Sequence, residues 1–483
     1  MSSIKKNFVW SSILTVAGYL FPLITFPYVT RVLGVEGLGN YQFAYSTIEY
    51  FCIFAMLGMG AIGIREVAKE KGDREKLSQT FSSLVIINLI TTFLAIIVLL
   101  ALTFIIPSFI SHSKMLYIGI ARILCNTLLI EWLFKGLEDF RFITVRAILV
   151  RCVYVASVFL FVKGENDYVI YFLLSTLTVV VNSVINLVYS KRFVDFSFRN
   201  LNLQPYIKPF IILGVYQILT AMYKSFNVIY LGSQCGDIEV GYYGTAAKLY
   251  TVIMSIFTAF TGVMLPRMSS LLADGKTEDF KNMTIKSVDC LLLFCLPLIV
   301  LAEVYAPQII RIIAGVGYEG AILPMRIVIP LMLVIGYEQV VIIQMLMPLK
   351  KDNAILINSC VGAGVGLLLN VILIPILASV GSAIVWCGSE VAVLVIAQYF
   401  VTKYTGYKMP VKKIMFSIVA YLPAIAVCCL LNRLLSHWIA LFVGCVFVGI
   451  YSFIIEYYLL KNKILQAYIS PIISRAQKRL LSK

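Results

Sequence analysis

Nine ionisable side chains stand inside long apolar stretches: Arg122, Arg151, Lys224, Lys248 and Arg326 on the basic side, Glu49, Glu131, Glu338 and Glu390 on the acidic side. Each costs about 2.5–3.5 kcal/mol at the centre of a membrane helix on insertion scales, so something must offset it. An ion pair, a route for the charged head to the interface, or a water-filled cavity would serve. Arg122, Lys224 and Lys248 fall in the middle or outer part of their stretches and come from both halves of the chain, which suits a cavity. Together they could hold a diphosphate or an acidic sugar through charge-assisted hydrogen bonds. Glu390, mid-stretch, could carry a proton or help to coordinate sodium, or could be the partner of a lysine. Arg326 and Glu131 sit near stretch ends, where pairing or snorkelling is the simpler account. Asn182, Asn186, Asn358 and Asn370 add polar groups suited either to interhelical hydrogen bonds or to a cavity wall.

No set of residues has the spacing of a catalytic or metal centre. The two histidines, His112 and His437, are far apart, and the 11 cysteines lack CxxC spacing and, Cys235 apart, read as small core hydrophobes. Gly58 to Gly63 and Gly315 to Gly320 both match GxGxxG, yet neither follows a strand of a βαβ unit, where that spacing would let backbone approach a pyrophosphate. The first reads as close helix packing and the second as an outside loop. Prolines and glycines inside other stretches, Pro297 and Gly364 among them, mark helices able to bend.

The elements that must position these charges follow from composition. Of 483 residues 60% are hydrophobic and 13% charged, with a mean hydropathy of +0.93, against about 45–50% and 25% in soluble domains. A soluble enzyme and a secreted disulfide scaffold are excluded. Apolar runs of about 20 residues predict an all-α polytopic membrane protein with fourteen transmembrane helices. They fall near 8–30, 41–64, 79–106, 114–134, 143–163, 168–190, 209–231, 240–265, 283–306, 321–347, 354–377, 380–402, 412–432 and 436–460. The first follows Lys5 and Lys6 as a signal peptide would, but runs to Val29 without a small-residue cleavage site, so it reads as a retained helix.

The net charge of +16 sits mostly in alternate loops, with no polar domain to present it to nucleic acid. With a cytoplasmic N-terminus, 30 of the 40 basic residues fall on the inside and five in outside loops, which predicts that both termini are cytoplasmic. A weak repeat at an offset of about 200 residues relates Leu33-Gly34, Glu36, Gly39 and Tyr41 to Leu231-Gly232, Glu239, Gly241 and Tyr243, and Arg65 to Arg267. It suggests two pseudo-symmetric six-helix lobes, 1–208 and 209–405, with helices 13 and 14 (406–460) appended. The basic tail 461–483 suits a helix on the anionic inner leaflet, or a disordered segment.

The chain resembles the Wzx-type flippases of lipid-linked oligosaccharides, the polysaccharide biosynthesis or O-antigen flippases of the superfamily that includes the MATE transporters. The resemblance covers nearly the whole chain and is most specific from Pro22-Leu23-Ile24-Thr25-Phe26-Pro27-Tyr28-Val29-Thr30-Arg31-Val32-Leu33-Gly34 through Glu36-Gly37-Leu38-Gly39 to Glu49-Tyr50-Phe51. Further matches are Arg65-Glu66-Val67-Ala68, Glu131-Trp132-Leu133-Phe134-Lys135-Gly136, Gly241-Tyr242-Tyr243 with Lys248, Leu265-Pro266-Arg267 and Asn370 through Glu390. It implies two lobes around a central cavity, and movement of an undecaprenyl-diphosphate-linked oligosaccharide between leaflets of a bacterial inner membrane by alternating access. It also implies a cationic lumen, assigned to Arg31 and Lys248 by the matched motifs and to Arg122, Lys224 and Arg326 by their placement. Glu49, Glu338 and Glu390 are the candidates for coupling to Na+ or H+, and no cofactor is expected. Expected partners are the lipid-linked glycan, membrane lipids, and the polymerase and chain-length machinery. Five deep bases against four acids is a more mixed set than a strongly cationic lumen. The alternatives are a MATE-like drug or cation antiporter, which the basic set disfavours, a membrane enzyme of polysaccharide assembly, which the short outside loops disfavour, and a purely structural assembly partner.

Overall fold

A computed structural model describes residues 4–196, 201–222, 225–462 and 465–466. The described residues form helices and no strand. In chain order these are α1 (Ile4–Met56), α2 (Met59–Glu70), α3 (Arg74–Ile105), α4 (Pro107–Ser111), α5 (Ser113–Thr127), α6 (Glu131–Gly136), α7 (Phe140–Phe161) and α8 (Tyr168–Ser190). There follow α9 (Gln204–Met222), α10 (Ser225–Cys235), α11 (Asp237–Ala273), α12 (Thr277–Ile313), α13 (Ile322–Val328), α14 (Leu331–Val341), α15 (Asp352–Thr405), α16 (Val411–Leu434) and α17 (His437–Ile454). The expected tail helix lies almost wholly outside the described residues.

Eleven described segments are long and apolar enough to cross a membrane. Two of them, Val9–Glu70 and Asp352–Thr405, hold 62 and 54 residues, whereas about 20 span the hydrocarbon core. Each therefore supplies two of the fourteen expected crossings. The reversal inside α1 is visible in its neighbours. Thr144 of α7 donates to the Trp10 carbonyl at 2.9 Å, and Tyr28 donates to the carbonyl of Val162, just past the other end of α7, at 2.8 Å. Beyond residue 34 the chain follows α8 instead, with Tyr41 against Tyr171 at 4.3 Å between ring centroids. The break is at Gly34, whose φ of 66° is open to glycine and strained for a side chain. The Tyr318 hydroxyl donates to the Thr30 and Gly34 carbonyls, at 3.1 and 2.8 Å. The second GxGxxG segment thus closes over the bend. In α15 the break is Ala378, and Gly381 sits so close to the Leu373 carbonyl that a Cβ would approach it to 2.6 Å.

One expected single helix arrives in pieces. The 114–134 stretch divides into α5 and α6 around Ile130, at φ 40°, and Asn186 satisfies the freed Leu129 carbonyl. Hydropathy registers length and apolarity, and that break changes neither.

The chain divides into two compact units. One comprises Met1–Gly244, Ile313–Tyr318 and Gly366–Val385; the other comprises Thr245–Ile312, Glu319–Val365 and Trp386–Lys483. Within the first, Gly39 and Gly241, matched by the internal repeat, meet each other: a Cβ on Gly39 would lie 3.1 Å from the Gly241 nitrogen and would run into the Asp237 carbonyl oxygen. Gly58 and Gly63 pack equally closely, against Leu213 and Trp132.

Candidate functional site

In the first unit Arg122 and Glu49, both singled out by sequence, meet. The Arg122 Nε and Nη2 donate to Glu49 Oε1 at 3.0 and 2.7 Å. Nη1 donates to the Ser175 carbonyl at 3.2 Å and Nη2 to the Tyr45 hydroxyl at 3.2 Å, with the guanidinium 4.7 Å from the centre of the Tyr45 ring. Spacing builds this set: Tyr41, Tyr45 and Glu49 recur every four residues on one face of α1 and meet Arg122 from α5 and Tyr171 and Ser175 from α8. The guanidinium is satisfied on three sides. Arg31, exposed at the end of the first crossing, runs its side chain past Gly315.

In the second unit Lys248 is half-buried on α11 and has no hydrogen bond or ion pair among the described residues. Glu390, only 3% exposed on α15, accepts from the Trp386 indole at 3.0 Å. Trp386 packs edge-on against Tyr250, 4.9 Å between centroids, and the half-buried Glu338 on α14 also lies within electrostatic reach of Tyr250. Arg326 donates through Nε to the Glu303 carbonyl at 3.0 Å. Lys224 lies outside the described residues. Arg151 reaches the Leu14 carbonyl at 3.4 Å. Among the described residues no group of three His, Cys, Asp or Glu could hold a metal ion.

A profile of the family described as "Polysaccharide biosynthesis protein" matches residues 4–272, more than half of the chain. The chain belongs to that family. A relative from Escherichia coli strain K12 described as "Putative O-antigen transporter" is 24% identical over 83% of this chain and 97% of its own length. One of the same description from Shigella flexneri is 24% identical over 66% and 78%. Among solved structures, the lipid II flippase MurJ in an inward closed conformation superposes with a TM-score of 0.73 over 97% of this chain and 99% of its own, at 14% identity. An inward-facing multidrug resistance MATE transporter gives 0.64 over 81% and 98%, also at 14% identity. The fold is therefore the one these transporters share. This member of the polysaccharide biosynthesis family is thus a multi-pass membrane protein with the fold of these transporters.

Three buried charges, Arg146, Asp289 and Glu456, and the half-buried Glu303 escaped the reading of the sequence. Asp289 is fully buried and paired with Lys413 of α16, while Glu456, 1% exposed, accepts from Tyr421 at 3.3 Å and Asn462 at 2.9 Å. Arg146 donates to Glu131 at 2.7 Å. All four lie within a few residues of a stretch end or in a basic loop, where a charge draws no attention. The count of opposite charges at the same depth was the available signal.

Proposed function

We propose that this transporter is a flippase that carries an undecaprenyl-diphosphate-linked oligosaccharide repeat unit from the cytoplasmic to the periplasmic leaflet by alternating access. The observation that carries this reading is Lys248: a half-buried ammonium on a transmembrane helix with no partner among the described residues. A cation so placed costs several kcal/mol unless a ligand or water receives it, and a diphosphate is a matching acceptor. Family membership and the O-antigen transporter relatives supply the substrate class, and thirty inward basic residues against five support cytoplasmic termini. Glu390 and Glu338, both within electrostatic reach of Tyr250, are the proposed carriers of a coupling proton or sodium ion, with Glu49 committed to Arg122. Polymerase and chain-length proteins are the partners proposed to take the product.

The test deletes the protein in its host and follows the lipid-linked unit by mass spectrometry, with an impermeant label reporting the leaflet of its sugar. Complete units confined to the inner leaflet, rescued by wild type and not by Lys248→Ala, are the expected result. Units that reach the outer leaflet without the protein sink the proposal.

A further inference from the structure

The outer faces of α7 and α8 enclose a groove in two continuous parts. The first, about 570 Å³, lies at the basic end and includes Arg141, Arg146, Asp139 and Tyr189. The second, about 330 Å³, is lined by apolar residues apart from Tyr154, Ser157 and Thr178. Leu149 and Val150 line both. Its walls are side chains that face outward: Leu149 is 62% and Val153 67% exposed.

The mouth is built for an anion. Arg146 is 95% buried, and although Nη2 bonds to Glu131, its Nε and Nη1 have no hydrogen-bond partner among the described residues. Buried guanidinium donors left unmade are costly, so an acceptor is called for there. Lys135 shares Glu131 with Arg146, at 3.2 Å, and Arg192 stacks 5.0 Å above Tyr189, whose ring lies flat on Phe142 at 3.7 Å. Four basic side chains thus face two carboxylates. One of these, Asp139, is taken up by the Tyr189 hydroxyl at 2.9 Å and the Phe142 amide at 3.2 Å.

We infer that this groove is a second lipid site, outside the charged clusters described above, that holds the polyprenyl diphosphate carrier by its phosphates at Arg141 and Arg146 and by its chain along α7 and α8. The inference rests on the proposed function for the identity of the lipid. Length selects the occupant. From Arg141 to Ser157 the groove follows α7 for about 24 Å, at 1.5 Å per residue, whereas one leaflet supplies about 15 Å of hydrocarbon. An acyl chain of an ordinary phospholipid stops near the midplane, and a polyprenyl chain fills the rest. A carrier lipid docked there waits beside the transporter with its phosphates already gathered at the basic end.

The test photo-crosslinks full-length protein in nanodiscs with a diazirine-bearing polyprenyl diphosphate and maps the labelled peptides. Labels are expected on 145–157 and 174–185. Val153→Trp, at an outward residue where thermal melting should stay unaltered, should abolish them, and Arg141→Ala should weaken binding about fivefold, as one basic residue near an anionic lipid contributes. Labelling that ignores Val153→Trp, or that phosphatidylglycerol displaces at equal concentration, overturns the inference; the latter marks an ordinary phospholipid site. Labelling is read without transport, so a wild type that labels in the groove but moves no lipid-linked glycan in proteoliposomes overturns the flippase reading alone.

Discussion

Each unit places a cation within its helices, Arg122 buried and Lys248 half-buried, and the two are treated in opposite ways. Arg122 in the first unit is held by a carboxylate, a carbonyl and a phenol, and stacked on an aromatic ring. Lys248 in the second has no such bond among the described residues. Arginine's planar fork suits the fixed, many-sided bonding of the first site, and a compact ammonium on a flexible stem suits a ligand that comes and goes. The contrast separates a charge committed to architecture from one left available. It also explains why burial alone is a poor guide to function in membrane helices.

The sharpest way to break the comparison is Lys248→Ala. If the ammonium serves a ligand, transport of the lipid-linked unit should fall on the order of 10- to 100-fold, the worth of one charge-assisted bond, while thermal melting stays at or above the wild-type value. A variant that melts early but transports normally would put Lys248 in the architectural class. Glu49→Gln is the mirror experiment. Removing one partner of a buried pair costs about 3–5 kcal/mol, which falls to about 2 here because the Glu49 side chain is 35% exposed. Adding Arg122→Gln should restore much of that loss in a double-mutant cycle, and strictly additive melting losses would mean that the two side chains are not coupled.

A smaller effect sharpens the contrast inside the second unit, which does pair charges elsewhere. Asp289 is fully buried against Lys413, whose side chain is 36% exposed. Asp289→Asn should cost about 1.5 kcal/mol of stability and no more, because the released ammonium can turn to water. A loss as large as that of Glu49→Gln would show that α16 is docked chiefly by this pair.

Much of the architecture could be read from the sequence because hydropathy and helix length are enough to count crossings. The bends were legible only in part. Gly34 stood in a marked motif, but nothing in the sequence distinguishes Ala378 from any helical alanine, and the break at Ile130 depends on Asn186, 56 residues away. The same limit governs the charges. Arg122 and Glu49 could each be named, but their pairing joins α5 to α1 across 73 residues, and only packing reveals it. Arg146 went unnoticed because a basic residue beside a loop looks like topology, whereas its burial and open donors make it a binding candidate.

The weakest expected effect lies outside the spans, in the turn between α4 and α5. His112 bonds through Nε2 with Asp237 at 2.9 Å and through Nδ1 with the Ser108 carbonyl at 2.7 Å, tying this turn to the start of α11. Burial alone would lower its pKa, but the Asp237 carboxylate and the Ser108 carbonyl favour the imidazolium and raise it above the usual value. Only the imidazolium can donate to both acceptors at once. The stabilisation is therefore complete below the unfolded pKa of about 6.5 and is lost as pH rises through the folded value. Its size is that of a single partly screened pair, on the order of 0.5 kcal/mol. Melting temperatures of wild type and His112→Gln, measured from acid to mildly alkaline pH, should converge as pH rises, with wild type the more stable at the acid end. A constant gap between the two would mean that the tether acts by shape and hydrogen bonding alone. A gap that widens with pH would mean that His112 stays neutral and that burial outweighs its acceptors.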